Sequence, residues 1–217
     1  TLRGQSYSVG RLSREIGPRS RIGVIGVQRM ARDSTADYHR TFGVEGRIGL
    51  GSNWTSDWWG AATDAPHRGG DDLGASARIG YLTDVWNNNI RFLHVGTDFV
   101  PELGFINRTP GFRNLEVGIM RYVRDRSRPW LRVWNPHVTY RGFYGTDGYF
   151  QSAQWHVDLT EVELNTGTRI GPELNVFHEG LKVPFEIAPG IKLPPGAYDF
   201  PEFGFDWTSN PSLPLSW

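Results

Sequence analysis

The sequence predicts an all-β protein, namely an antiparallel transmembrane β-barrel of the outer-membrane type or a fragment of one, with roughly ten or eleven strands. Three observations point to this class. Apolar and polar side chains alternate with a period of two in many segments, most clearly in ADYHRTFGVEGRIGLG at 36–51. These segments exceed the length of about 5–6 residues that is usual for strands of soluble proteins. Finally, 27 Gly and a 13% aromatic content accompany only 38% hydrophobic residues, which suits a barrel with a polar interior.

Composition also excludes several classes of protein. The 23 basic and 23 acidic residues give a formal net charge of zero, so no electrostatic attraction to nucleic acid is predicted. The chain has no cysteine, which excludes disulfides and thiolate chemistry. No run approaches the roughly 20 apolar residues of a membrane-spanning helix. Because the chain starts at Thr1 and stops as a new alternating segment begins, residues 1–217 are expected to be a single β-barrel region within a longer protein.

The predicted strands follow one another along the chain with turn residues between them. They lie at 20–30, 36–51, 53–65, 75–83, 86–96, 112–125, 130–145, 149–164, 168–180 and 203–209. Residues 51–53 are predicted to form a tight hairpin turn, and Pro136 indicates a bulge or an edge position. Residues 181–204 are rich in proline and aromatic residues, and we expect them to form a long ordered loop or hairpin.

Two kinds of protein could produce such alternating segments. A soluble β-sandwich buries one face and exposes the other to water, but its exposed face should carry lysines and glutamates. Here the polar face is rich in Gly, Asn, Ser, Thr, Gln and Arg, and aromatic residues cluster near strand ends, as in NWTSDWW and PWLRVW. A transmembrane barrel predicts each of these features. The barrel is therefore favoured, with the sandwich as its alternative.

Two sequence blocks are distinctive of a known family. One is G-x-D-F-x-P-E-x-G-F within 96–108, and the other is FEIAPG at 185–190. With the segments around them, nearly the whole chain resembles the uncharacterised bacterial outer-membrane barrel region found behind a family-9-like carbohydrate-binding domain. The resemblance implies a bacterial outer-membrane location and a barrel of unknown activity, with the sugar-binding domain upstream of this chain. It implies no catalytic motif. The residues of the first block are Gly96, Asp98, Phe99, Pro101, Glu102, Gly104 and Phe105.

The polar faces of the alternating segments supply candidates for a hydrated lumen. His156 and Asp158 could share a metal ion with His137 or His178. A metal site needs three or more converging ligands, and the spacing reveals no third one. A row of polar residues lining the lumen is therefore favoured, and no metal or other cofactor is predicted. The lumen candidates are His39, Glu45, Arg47, Arg78, Gln154, His156 and Asp158.

Asp98 and Glu102 lie four residues apart, with Arg108 close behind. Paired carboxylates could serve acid–base hydrolysis or bind a cation. The alternative is an acidic turn that an arginine ties down by salt bridges beneath a barrel rim. We favour this structural interpretation.

Five tryptophans near strand ends could either stack on sugar rings or anchor the chain at a membrane interface. The anchoring role is favoured, and the residues are Trp54, Trp58, Trp59, Trp130 and Trp134. The function predicted from the sequence is a binding or transport platform in the lipid bilayer, with glycans or their breakdown products as candidate ligands and without catalysis. One alternative is a barrel-borne hydrolase that uses Asp98, Glu102 or Asp158. The other is a soluble carbohydrate-binding β-sandwich.

Overall fold

The computed structural model describes residues 4–66, 69–102, 106 and 108–216. These residues form fifteen strands and no helix. Eleven of the strands span nine residues or more. The strands are β1 (Gln5–Gly17), β2 (Ser20–Ala31), β3 (Ser34–Leu50), β4 (Trp54–Asp64), β5 (Leu73–Leu82), β6 (Trp86–Val95), β7 (Phe112–Arg121), β8 (Leu131–Trp134), β9 (His137–Gly145), β10 (Phe150–Asp158), β11 (Val162–Leu164), β12 (Arg169–Leu181), β13 (Phe185–Ala188), β14 (Ile191–Leu193) and β15 (Gly196–Thr208).

Thirteen strands belong to one sheet with the order β1-β2-β3-β4-β5-β6-β7-β9-β10-β12-β11-β8, and β15 pairs with β12. β13 and β14 form a separate two-stranded sheet. The all-β, antiparallel prediction is therefore confirmed, whereas the predicted number of ten or eleven strands is too low. Within the described ranges no pairing joins the two ends of the strand order, so the sheet is not closed. No described segment forms a helix of the length and apolarity needed to cross a membrane.

The chain divides into two compact units. Unit 1 comprises Thr1–Gly80, Arg91–Asn114 and Gly145–Gly148. Unit 2 comprises Tyr81–Ile90, Leu115–Tyr144 and Tyr149–Trp217.

One face of unit 1 is apolar and exposed. Val24 of β2 pairs with Val44 of β3, and Gly26 pairs with Phe42, so period-two alternation places these side chains on one side of the sheet. Phe42 is 62% exposed and Val44 is 49% exposed. Leu50 of the same row is also exposed, and Tyr38 and Ile48 are half-buried. This is the row of residues predicted for the apolar face of 36–51.

Unit 2 has a comparable face. Trp155 of β10 pairs with Val176 of β12, and Leu174 pairs with Phe203 of β15. Phe203 is 79% exposed, and Trp155 is also exposed. Phe205 and Trp207 continue the same face of β15 and are exposed as well. Long apolar side chains therefore point away from the described body of each unit.

Turns and strand ends differ in part from the sequence-based expectation. The hairpin turn at 51–53 is confirmed, and Gly51 adopts a φ of 58° there, which a side chain would disfavour. The segment 130–145 was expected to be one strand with a bulge or an edge at Pro136, but it forms the two strands β8 and β9 with Pro136 between them. The 13-residue strand β1 was not predicted.

The expectation of a long loop or hairpin over 181–204 needs correction. A hairpin does occupy part of it, because β13 and β14 pair between Phe185 and Leu193. From Gly196 onward, however, the chain is the strand β15, which pairs with β12 over its full length. Pro201 is tolerated within β15 because this strand has a partner on only one side in the described sheet.

Candidate functional site

The polar face of unit 1 is the side of β2–β4 that bears Arg29, His39, Thr41 and Thr63. Arg29 pairs with His39 across β2 and β3, and Thr41 pairs with Thr63 across β3 and β4. His39, Thr41 and Thr63 are all buried. Polar groups are therefore buried on the face opposite the exposed apolar row.

The segment 96–102 packs over these buried polar groups, and it contains most of the distinctive sequence block. Thr63 Oγ1 donates to the Asp98 carbonyl at 3.3 Å and accepts from the Val100 N–H at 3.3 Å. Phe99 is 3% exposed, and its ring centroid lies 6.3 Å from that of Trp59. Backbone hydrogen bonds from Gly96 to Leu73 O and from Asp98 to Asp71 O, both 2.8 Å, fix the start of the segment.

Glycines make room for this segment. A Cβ on Gly74 would lie 2.6 Å from Phe99 Cε1. A Cβ on Gly96 would collide with the backbone carbonyl oxygen of Asp71. The glycine at position 96 of the distinctive block is therefore required by close packing.

An arginine ties the end of the segment to the strands. Arg29 forms an ion pair with Glu102, a second one with Asp37 at 2.8 Å, and a hydrogen bond to Gln5 Oε1 at 2.9 Å. Its side chain is only 14% exposed. Beside it opens a cleft of about 420 Å³ that Tyr38, His39 and Val100 also line. The cleft presents a cation and two carboxylates to a ligand.

The other polar residues of the distinctive block at 96–108 have separate partners. The Asp98 carboxylate lies beside Gly70, whereas Glu102 binds Arg29. Arg108 lies over the Phe112 ring, 5.9 Å from its centroid. Pro101 is half-buried within the segment. Gly104 and Phe105 fall outside the described residues.

The remaining lumen candidates of unit 1 form ion pairs or are exposed. Glu45 accepts from Arg11 Nε at 3.0 Å, Arg47 pairs with Asp57 at 2.6 Å, and Arg78 is exposed. The Arg11–Glu45 pair joins β1 to β3 across β2, whereas the Arg47–Asp57 pair joins the neighbouring strands β3 and β4.

The five tryptophans have different surroundings. Trp54 and Trp58 share the apolar side of β4, and the Trp58 ring covers Gly46 of β3. Trp59 lies on the polar face against Phe99. In unit 2, Trp130 and Trp134 are exposed, and Trp134 Nε1 donates to Leu159 O at 2.8 Å. Only part of this set is therefore placed as a surface anchor would be.

Unit 2 assembles a histidine cluster, which we define as His137, His156, Asn175, Glu161 and Glu173. The Nε2 atoms of the two imidazoles lie 3.0 Å apart. His137 Nδ1 is 3.0 Å from the Asn135 carbonyl oxygen, and His156 Nδ1 is 2.9 Å from Asn175 Oδ1. Carboxylates approach the same ring nitrogens, with Glu161 Oε2 at 3.9 Å from His137 and Glu173 Oε2 at 3.7 Å from His156.

Two of the predicted lumen residues support this cluster. Gln154 Nε2 donates to Asn175 Oδ1 at 2.9 Å. Asp158 is buried, and its Oδ1 accepts from the backbone N–H groups of Thr160 and Glu161 at 3.1 and 2.8 Å. The turn after β10 is thereby fixed, and it carries Glu161 toward His137. Ligand atoms of His137, Asp158 and Glu161 lie within 4.8 Å of one another.

His178, the other predicted partner, has different contacts. Its Nδ1 lies 2.7 Å from Asp199 Oδ1, and its ring stacks on Phe150 with centroids 4.1 Å apart. Four residues of these two sites were not predicted from the sequence, namely Arg29, Asn175, Glu161 and Glu173. Arg29 and Asn175 lie opposite the predicted His39 and His156 on the neighbouring strands. Glu173 lies on the same face of β12 as Asn175, and Glu161 lies in the turn after Asp158. Strand register is needed to identify these neighbours.

Comparisons with protein-family models, with curated proteins and with solved structures found no match. The family resemblance therefore stays a prediction.

Proposed function

We propose that this chain forms part of the wall of a bacterial outer-membrane β-barrel and serves as a binding or transport platform for glycans or their breakdown products. One observation carries the proposal. In both units the long strands expose an apolar face, while polar groups are buried on the opposite face of the sheet. Lipid on one side and a hydrated lumen on the other account for this arrangement.

Strand length supports the membrane assignment. A tilted strand needs about 9–11 residues to span the hydrocarbon core, and eleven strands of this chain have nine or more. A monomeric soluble protein rarely exposes contiguous apolar patches larger than a few hundred Å². Here Phe42, Val44 and Leu50 repeat on one strand and Phe203, Phe205 and Trp207 on another. Such rows are favourable in lipid tails and costly in water.

The binding role is supported by the cleft beside Arg29. Sugar hydroxyl groups both donate and accept hydrogen bonds, and Arg29, Asp37 and Glu102 supply donors and acceptors at its wall. The segment 96–102 narrows the space above the polar face, as a loop folded into a lumen would. The choice of glycans as ligands rests on the family resemblance.

A charge substitution on the apolar face tests the membrane assignment. In lipid vesicles, Val44→Arg should lower the free energy of unfolding by about 2–4 kcal/mol, the cost of arginine on the lipid face of a barrel. In a water-soluble sheet the same change at a half-exposed position should stay within about 0.5 kcal/mol. The matched control is Ser13→Arg at an exposed position opposite Gly23 on the polar side, which should have little effect in either case. Equal small effects for the two variants in urea titrations would refute the proposal.

Conductance tests the transport role. Because the polar face carries paired charges of both signs, a reconstituted pore should discriminate only weakly between anions and cations in planar bilayers. Neutral oligosaccharides should reduce the current as they enter. Strong selectivity for one sign of charge, or no response to any sugar, would contradict the platform role.

A further inference from the structure

We propose that His137 and His156 form a bis-imidazole site for a divalent transition metal ion, with Cu²⁺ fitting its geometry best. The site goes beyond the proposed platform role and lies within unit 2. The ring nitrogens that carry a proton decide which ones can bind a metal ion.

The hydrogen-bond partners fix both imidazoles in the same tautomer. A backbone carbonyl can only accept, so His137 Nδ1 must donate to Asn135 O. Asn175 Nδ2 faces Glu173 Oε1 at 3.4 Å, and an ionised carboxylate can only accept, so Asn175 Oδ1 faces His156. His156 Nδ1 must therefore donate as well. Each neutral ring is left with a lone pair on Nε2.

The two Nε2 atoms that carry these lone pairs lie close together. The Nε2 atoms are 3.0 Å apart and the ring centroids 5.0 Å apart, a separation at which two unshared lone pairs repel. A positive charge between the nitrogens removes the repulsion. Neutral imidazole Nε2 is among the commonest metal ligands in proteins, and its other ring N–H is almost always held by a carbonyl or carboxylate. Both imidazoles here meet that condition.

The spacing indicates which ion fits. Metal–imidazole bonds of about 2.0–2.1 Å to nitrogens this far apart imply a nitrogen–metal–nitrogen angle of roughly 95°. This is close to the right angle between neighbouring ligands in tetragonal Cu²⁺ or Ni²⁺ sites, and Cu²⁺ has the higher intrinsic affinity. Water can complete the coordination, because the His156 side chain is 21% exposed and borders a cavity of about 250 Å³.

The local charge favours a cation. Glu161 and Glu173 approach the donating sides of the two rings, and Asp158 lies within 4.8 Å of His137 and Glu161. Arg141, which also borders the cavity, is paired with Glu116 at 3.1 Å. Three carboxylates thus surround two neutral imidazoles.

Cu²⁺ titration of the detergent-folded full chain tests the site. Wild-type protein should take up one Cu²⁺ with high affinity, and its electron paramagnetic resonance spectrum should report two imidazole nitrogens. His137→Gln and His156→Gln should each weaken binding by at least about tenfold and reduce the nitrogen count to one. His178→Gln is the matched control and should change neither quantity.

Three results would overturn the proposal. They are no stoichiometric uptake by the wild type, a wild-type spectrum with fewer than two nitrogens, and equal weakening in the His178→Gln control. The spectrum of the wild type needs no variant, so the test holds even where a substitution prevents folding.

Discussion

The two units bury their polar faces in different ways. In unit 1 a piece of backbone, the segment 96–102, lies across Thr63 and is tied down by Arg29 and Glu102. In unit 2 the side chains of neighbouring strands hydrogen-bond to one another, as His156 and Gln154 do with Asn175. Buried polar groups need partners in both cases.

The difference has a mechanical consequence. A covering segment depends on space, so unit 1 should respond most to added volume at its glycines. A side-chain network depends on complete hydrogen bonding, so unit 2 should respond most to the loss of a central member. Single substitutions can distinguish sensitivity to added volume from sensitivity to a lost hydrogen-bond partner, when amide hydrogen exchange is measured for separate peptides of each unit.

Of the substitutions that test this comparison, Gly96→Ala in unit 1 is expected to have the largest effect. The added Cβ would clash with the Asp71 carbonyl oxygen, so the backbone must move. The segment 96–102 then loses its close packing against the strands. Overpacking of this kind costs about 1–3 kcal/mol of unfolding free energy, and we expect the upper part of that range. Hydrogen exchange should rise in 96–102 and β4. Gly10→Ala is the control, because nothing lies within 4 Å of its Cβ. Equal stability of the two variants would show that the segment is not held by close packing.

A somewhat smaller effect is expected from Asn175→Ala in unit 2. The change strands His156 Nδ1 and Gln154 Nε2 without their shared acceptor, and an unsatisfied buried group costs about 1–3 kcal/mol. Exchange should rise in β10 and β12 while the unit 1 peptides stay unchanged. Glu173→Gln keeps an acceptor for Asn175 and should cost far less. Faster hydrogen exchange in unit 1 peptides of this variant would contradict the expectation that the two units respond separately.

Glu102→Gln should have a mild effect. The Glu102 side chain is 38% exposed and Arg29 keeps its pair with Asp37, so the loss should stay below about 1 kcal/mol. Faster exchange confined to 96–102 is expected. Glu202→Gln, at an exposed position on β15, serves as the comparison. A large global loss of stability in urea titration would mean that the ion pair, rather than packing, holds the segment.

The smallest effect concerns the loop between β7 and β8. Hydrogen bonds from the Ser127 hydroxyl and N–H, at 2.6 and 2.9 Å, together with Arg128, lower the pKa of Asp125 below its ordinary value. A lowered folded-state pKa stabilises the fold above the ordinary pKa, and the contribution is lost as pH falls through the folded-state value. Ser127→Ala should raise the pKa of Asp125 and shift that loss to higher pH. Carboxyl-carbon NMR titration measures the pKa of Asp125 in both proteins. An unchanged pKa in Ser127→Ala would show that the Ser127 hydroxyl is not what lowers it.

Strand prediction succeeded where apolar residues kept to one side. In β3 the row from Tyr38 to Leu50 never changes face, and the strand was predicted almost to its ends. In β1 the apolar residues switch sides between Val9 and Leu12, which pair with Val27 and Val24, and the strand was missed. In β15 the switch falls between Phe200 and Phe203, around Pro201. Period-two alternation detects a strand only while one face stays apolar.

The sites were harder to predict because register decides them. His156 and Asp158 were identified as polar-face residues, but their partners depend on which residue of a neighbouring strand lies opposite. A slip of one residue would turn Asn175 to the other face. The contact between Arg29 and Glu102 joins residues 73 positions apart, and no local pattern reports such a contact. Alternation thus predicted which side a residue occupies, and register determined its neighbours.

The first strand sets a condition on the membrane assignment. Within the described part of the chain, β1 has β2 on one side and no strand on the other, so its outer N–H and C=O groups have no sheet partner there. Hydrocarbon offers nothing to bond them, at several kcal/mol for each group. Insertion into a bilayer would therefore have to be coupled to the docking of another strand along Gln5–Gly17.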